Sequence, residues 1–153
     1  MTNSNIRKAS RDDLSKLLEL EQKIVDSERP YYSFIKENNV TYYDLQSLIS
    51  DDDSYLIVIE SGTEIIGSGY AQMRTSRSCF THNSHCYLGF IYLEPDYRGK
   101  SIGSRILNTL KEWGMKKGTK HFQLDVYSKN ESAIRAYKKA GFNEVSVKME
   151  LTI

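Results

Sequence analysis

The sequence predicts a single mixed α/β domain over residues 1–153: a largely antiparallel sheet with a central parallel strand pair, flanked by helices. Three observations predict it. Tyr55-Leu56-Ile57-Val58-Ile59 is a continuous β-branched and aromatic run that suits a strand buried on both faces. After the turn signal Ser61-Gly62-Thr63 it returns as Glu64 to Met73, a hairpin. From His85 to Val126 the apolar period changes from two to 3.6 and back, giving strand, glycine-containing turn, helix and strand. Such a unit favours a parallel pair joined by a right-handed crossover. Finally, Val145, Val147, Met149 and Leu151 alternate as a last strand.

The remaining elements follow in order. Ile6 to Ala9 reads as a short first strand. Asp12 and Asp13 then supply charge and capping to a helix with Leu14, Leu17, Leu18 and Ile24 on its apolar side. That helix ends near Arg29-Pro30-Tyr31-Tyr32, because proline disfavours helix in the residue before it. A second helical stretch falls within Tyr42 to Ile49. Thr75 to Ser84 is polar and reads as a loop, followed by a strand from His85 to Leu93 that Pro95 ends. Ile102, Ile106, Leu110 and Trp113 share one helix face up to about Lys117, with Gly118 as the stop. Phe122, Leu124 and Val126 alternate as a strand. Ala133, Ile134 and Tyr137 mark another helix, closed by Gly141.

Composition narrows the function classes. Apolar residues at 39%, charged residues at 27% and a formal net charge of +1 describe an ordinary globular protein with no global field to recruit nucleic acid or an anionic membrane. No apolar run approaches the roughly 18–20 residues that span a bilayer. The stretch Met1 to Ile6 lacks the apolar segment of a secretory signal. The two cysteines, Cys79 and Cys86, make no disulfide framework, so a cytoplasmic protein with free thiols is the simpler expectation. Cys79, His82, His85 and Cys86 form a compact cluster, but four ligands within eight residues would have to wrap one ion tightly. No second ligand pair is evident, and no metal is expected.

The informative segment is Pro95-Asp96-Tyr97-Arg98-Gly99-Lys100-Ser101-Ile102-Gly103, which leaves a strand and opens a helix. A helix N-terminus exposes unpaired N–H groups and partial positive charge. Gly99 and Gly103 allow close approach of a bulky pyrophosphate, while Arg98 and Lys100 add cationic charge. Physics alone reaches a phosphate-bearing ligand, against the plainer reading of a glycine-rich turn with surface cations. The glycine spacing of a P-loop is missing.

With these residues the chain resembles the GCN5-related N-acetyltransferase (GNAT) superfamily. Its signature of Arg or Gln, two residues, Gly, one residue, Gly or Ala stands here as Arg98-Gly99-Lys100-Ser101-Ile102-Gly103, with Ser101 in place of the middle glycine. A second landmark follows: Leu124-Asp125-Val126, Asn130, Ala133-Ile134, Tyr137 and Ala140-Gly141-Phe142. The resemblance implies acetyl-CoA as cosubstrate, without a metal. It implies that the backbone amides of Arg98, Gly99, Lys100, Ser101, Ile102, Gly103 and Ser104 hold the pyrophosphate. The strand Ile91-Tyr92-Leu93 would pair with the pantetheine arm and supply an N–H to the thioester oxygen, and Asn130 would bond the arm from the other side. Ser101 costs little if its φ is negative, the reading its intact flanks favour; positive φ would strain it.

Tyr137 is implied as the general acid that protonates the departing thiolate, although packing beside Ala133 and Ile134 would also account for it. The general base has three candidates. No carboxylate lies between His85 and Leu93; Tyr87 holds the comparable phase, and a β-bulge would reverse the faces. His85 acting through water, Glu94, or direct attack by an already neutral amine remain. Arg29, Tyr31 and Tyr32, with Asp26 and Glu28 close in sequence, stand where acceptors bind in the family, and surface packing is their plainer reading. Cys79 and Cys86 have no base or orienting group, so transfer in a ternary complex, without an acyl-enzyme, is expected. The expected partner is a small-molecule or peptide amine; nucleic acid and membrane are not expected, and a homodimer is compatible with the sequence. The alternative is a CoA-binding sensor or interaction module without catalysis.

Overall fold

A computed structural model describes residues 3–153. Five strands form one sheet in the order β1-β2-β3-β4-β5: β1 Ser4–Lys8, β2 Ser54–Ser61, β3 Glu64–Thr75, β4 Ser84–Leu93 and β5 Phe122–Gln123. The first four pair antiparallel, and β4 with β5 is the parallel pair. Four helices flank the sheet: α1 Leu14–Glu28, α2 Leu45–Ser50, α3 Ile102–Lys116 and α4 Glu131–Lys139. The β4–α3–β5 crossover therefore forms as the change of period implied. Helix α3 ends at Gly118 and α4 at Gly141, both at positive φ, the conformation that favours glycine after a helix.

The sheet carries a core on each face. Leu17, Leu20 and Ile24 of α1 and Leu45 and Leu48 of α2 pack with Leu56, Val58 and Phe90 on one side. Ile102, Ile106 and Leu110 of α3 pack with Ile57, Ile59 and Leu88 on the other. Strand β2 feeds both, as its unbroken apolar run requires. Leu18, assigned to the apolar side of α1, is instead exposed; Leu20, Glu21 and Val25 complete that stripe. Near the sheet edge Asp13, almost fully buried, is held by both terminal nitrogens of Arg7 at 2.8 Å. The paired guanidinium keeps its carboxyl below the usual range, and Arg7 also reaches Glu60.

Three expectations need correction. Leu124 and Val126 leave the sheet: β5 pairs only through Cys86–Phe122 and Tyr87–Gln123, after which the two strands diverge. The parallel pair thus lies at the sheet edge rather than its centre. The last strand does not form. Residues 143–153 take up no regular secondary structure and have no sheet partner, with Val145, Val147, Met149 and Leu151 almost fully exposed. Alternation of apolar residues is not enough: a strand also needs a neighbour to take its hydrogen bonds.

Candidate active site

Pairing between β4 and β5 stops after Tyr87 and Gln123, so beyond that point a cleft stands between the two segments in place of a ladder. On the β4 wall the chain changes face. Cys86 and Leu88 point to the α3 side, yet Phe90 and Tyr92 belong to the α1 side. The register with β3 slips between Ser68 and Tyr70, and Phe90 takes a φ of 49°. An extra residue in the strand at this point is a β-bulge, and it leaves backbone groups outside the ladder. The Ser68 hydroxyl donates to the Phe90 carbonyl at 2.8 Å, and Gly89 makes room for the Tyr70 ring, which an added Cβ would meet at 2.5 Å. Beyond the bulge, Ile91 is partly buried, while Tyr92 and Leu93 pair with Ser68 and Gly67 of β3 and have no strand on their other side.

Past Leu93 the chain makes a 3-10 turn over Pro95–Tyr97 and enters α3. Gly99 and Ser101 both have positive φ, 75° and 66°. This corrects the expectation for Ser101: it is not in the first helical turn but is the left-handed residue before it. Its side chain makes no capping hydrogen bond. The turn needs two left-handed residues in three positions, and only one is a glycine. From Gly99 to Ser104 no backbone N–H finds a partner among the described residues; the first bond of α3 runs from Arg105 N–H to the Ser101 carbonyl. Unpaired amides in a turn of this kind, at a helix head, form a concave anion site. Ser101→Gly should therefore stabilise the fold by about 1 kcal/mol, the cost of a left-handed non-glycine residue. A thermal or denaturant midpoint shift measures it, and an unchanged midpoint would mean that serine fits the turn without strain.

The cations beside this turn are placed differently from expectation. Arg98 donates through Nε to the Leu93 carbonyl at 2.8 Å and lies over the Tyr92 ring, so it braces the end of β4. Lys100 lies over the Tyr97 ring at the exposed surface. On the other wall Asn130 caps α4, its Oδ1 accepting from Ala133 N–H at 3.3 Å. That bond fixes the amide and leaves the Nδ2 donor without a partner among the described residues. Tyr137, two helical turns further, is partly buried in the same cluster as Ile91 and Leu124, edge-on to Phe142. Burial, and then the charge of Glu28, push its phenol up to about 12.

That influence of Glu28 crosses the sheet from α1. Glu28 is partly buried, and burial raises its carboxyl above the ordinary range. Burial first, and then the charge of Glu28, raise the phenols of Tyr42, Tyr43 and Tyr127. Tyr43 stacks on Phe90 at the bulge with centroids 4.7 Å apart, and the buried Tyr42 hydroxyl has no hydrogen-bond partner among the described residues. These tyrosines are held by Glu21, only 1% exposed, whose Oε2 accepts from the N–H groups of Tyr42 and Tyr43 at 2.9 Å. Sequence reasoning missed Glu21, Tyr42 and Tyr43. A signal existed: Glu21 falls on the apolar stripe of α1 with Leu17 and Ile24, and Glu28 is two turns beyond it on the same face.

The base candidates are dispersed. His85 is five residues before Phe90 on β4, about 16 Å along the strand. Its Nδ1 is 2.8 Å from the Ser76 hydroxyl, which also meets His82, and burial followed by the charge of His82 lowers its pKa. Glu94 is bound by Lys23 at 2.9 Å. Tyr87 donates to Asp125 Oδ2 at 2.7 Å, closing the narrow end of the cleft. Arg29 donates to the carbonyls of Lys36 and Glu37 and so secures a loop, while Tyr32 stacks on Tyr127. Among the described residues no His, Cys, Asp and Glu side chains gather as a metal site, and no helix is long and apolar enough to cross a membrane.

Several known proteins are similar to this chain. The sequence pattern of the "Acetyltransferase (GNAT) family" matches residues 16–142. An uncharacterised N-acetyltransferase of Methanocaldococcus jannaschii is 28% identical over 93% of this chain, which covers 62% of that protein. Thialysine N-epsilon-acetyltransferase of Sus scrofa is 38% identical over 39% of this chain and 35% of its own length. The chain thus spans less than two thirds of these relatives. Among solved structures, a predicted acetyltransferase of Clostridium acetobutylicum with acetyl-CoA has a TM-score of 0.78 at 20% identity, over 98% of this chain and 96% of that one. A mutant protein from Bacillus halodurans has a TM-score of 0.86 at 19% identity, over 97% and 99%. At these identities the likeness shows the fold.

Proposed function

Because the chain belongs to the GNAT acetyltransferase family, we propose that it moves an acetyl group from acetyl-CoA to a primary amine by direct attack in a ternary complex. The observation that carries the reading is the run of unpartnered amides from Gly99 to Ser104 at the mouth of a cleft between two diverging strands. The donor set fits the cosubstrate: amides for a pyrophosphate, the free edge of Ile91 to Leu93 for an amide-containing arm, and Nδ2 of Asn130 opposite. Acetyl-CoA supplies an acyl group activated as a thioester. The chain supplies position and protons. Tyr137, kept protonated by its burial, donates to the departing thiolate.

Glu28 and the tyrosines around it form the acceptor side, where a carboxylate and aromatic faces suit an alkylammonium. The amine attacks once neutral, and Glu28 is the candidate to take its proton. His85 could act only through water carried along the cleft. A thiol-release assay with acetyl-CoA and a panel of amines tests the reading. Turnover with at least one alkylamine is the expected result. The strained Ser101 favours a second reading, a binding module, which saturable CoA binding without turnover on any amine would support. No CoA binding in calorimetry would overturn both.

A further inference from the structure

At the bulge in β4, Tyr92 stands opposite Ser68 and Gly89 opposite Tyr70, so Phe90 and Ile91 together face the single residue Gly69. In one common form of bulge the first residue is a left-handed glycine. Here it is Phe90, at a φ of 49° and 2% exposed, and a bulky side chain in that conformation is strained. Two contacts hold it there. The Tyr43 ring stacks on the Phe90 ring, and the Ser68 hydroxyl, fully buried, donates to the Phe90 carbonyl at 2.8 Å. The Ser68 bond also sets a direction. The Phe90 carbonyl and the Ile91 N–H belong to one planar trans peptide, so they point oppositely. A carbonyl tied to β3 turns the N–H away from β3, to the side where β4 has lost its pairing with β5.

We infer that Ser68 is a positioning residue for acetyl transfer: its hydroxyl fixes the Phe90–Ile91 peptide so that the Ile91 N–H faces the thioester oxygen. This role rests on the transferase reading. The amine nitrogen bonds to the thioester carbon, and the C–O electron pair moves onto oxygen. It returns as the C–S bond breaks; the amine proton goes to Glu28, and the thiolate takes a proton from Tyr137. An N–H already aimed at the oxygen stabilises its transient charge without reorganisation. Without the Ser68 hydroxyl, the strained peptide is free to rotate toward an ordinary conformation, which withdraws the donor. Ser68 acts through the backbone and needs no contact with either substrate.

Ser68→Ala tests this on the full chain, with Ser68→Cys as a second variant of similar volume and weaker donor strength. Calorimetry with acetyl-CoA and with CoA, each without amine, gives a readout that packing alone does not move. Only the thioester has the carbonyl oxygen. The alanine variant should bind acetyl-CoA about 3- to 10-fold more weakly, the worth of one hydrogen bond, with CoA affinity unchanged. Its kcat in thiol release should fall about 10- to 100-fold at an unchanged KM for the amine. The cysteine variant should fall between, and it decides the matter if the alanine variant does not fold. Acetyl-CoA and CoA affinities that drop together overturn the inference, as does an alanine variant that keeps kcat within about twofold of wild type. A wild type that binds acetyl-CoA but releases no thiol with any amine overturns the transferase reading instead. The two affinities then still decide whether Ser68 sets the carbonyl site.

Discussion

Tyr137→Phe should lower kcat by about 100- to 10,000-fold, the usual contribution of a positioned general acid. The expectation rests on placement. Tyr137 is partly buried at the cleft with Ile91 and Leu124, and its ring keeps its packing on Phe142 when the hydroxyl is removed. CoA affinity and the thermal midpoint should therefore change little. Burial holds the phenol near 12, so the proton is present across any ordinary assay pH. Wild-type turnover should rise as an alkylamine loses its proton, with a pKa of ~10.4 in water, and should not fall until the phenol itself ionises. A variant that keeps half its kcat would return Tyr137 to a packing role.

Glu28→Gln should raise KM for a cationic acceptor about 10- to 100-fold, the worth of one charged hydrogen bond. Glutamine keeps the shape and removes the charge. Neutral or anionic amines should lose much less, so the ratio between acceptors is the measurement. If Glu28 also takes the proton, kcat falls as well and the alkaline rise becomes steeper. Equal KM values for all acceptors in both proteins would place the amine elsewhere. Because the Glu28 carboxyl is raised by burial, its charge is lost first as pH falls, and acceptor affinity should weaken on the acid side.

Much of this was legible because local rules agreed. The hairpin of β2 and β3, the α3 crossover and both glycine helix stops follow from period and turn chemistry. The anion turn was readable as a glycine-bearing helix start after a strand. The conformation of Ser101 was not. Serine is ordinary before a helix with negative φ, and only the return of the chain from β4 into α3 fixes it at 66°.

The bulge at Phe90, the aromatic wall of Tyr42 and Tyr43 and the fate of the last segment had no reliable local signal. Glu21 on an apolar stripe was visible, but its ligands, the N–H groups of Tyr42 and Tyr43, come from a loop about twenty residues away. The alternation from Val145 to Leu151 specified a strand without naming its neighbour. By itself the sequence determined the fold class, the glycine-bearing turn that opens α3 and the helix that carries Tyr137, because each rests on contacts short in sequence. Tertiary structure alone decided which faces meet across the cleft, that Tyr137 is buried within reach of the charge of Glu28, and that the last segment has no place in its own sheet. Those outcomes depend on where β4 and β5 part, a balance of packing between segments distant along the chain.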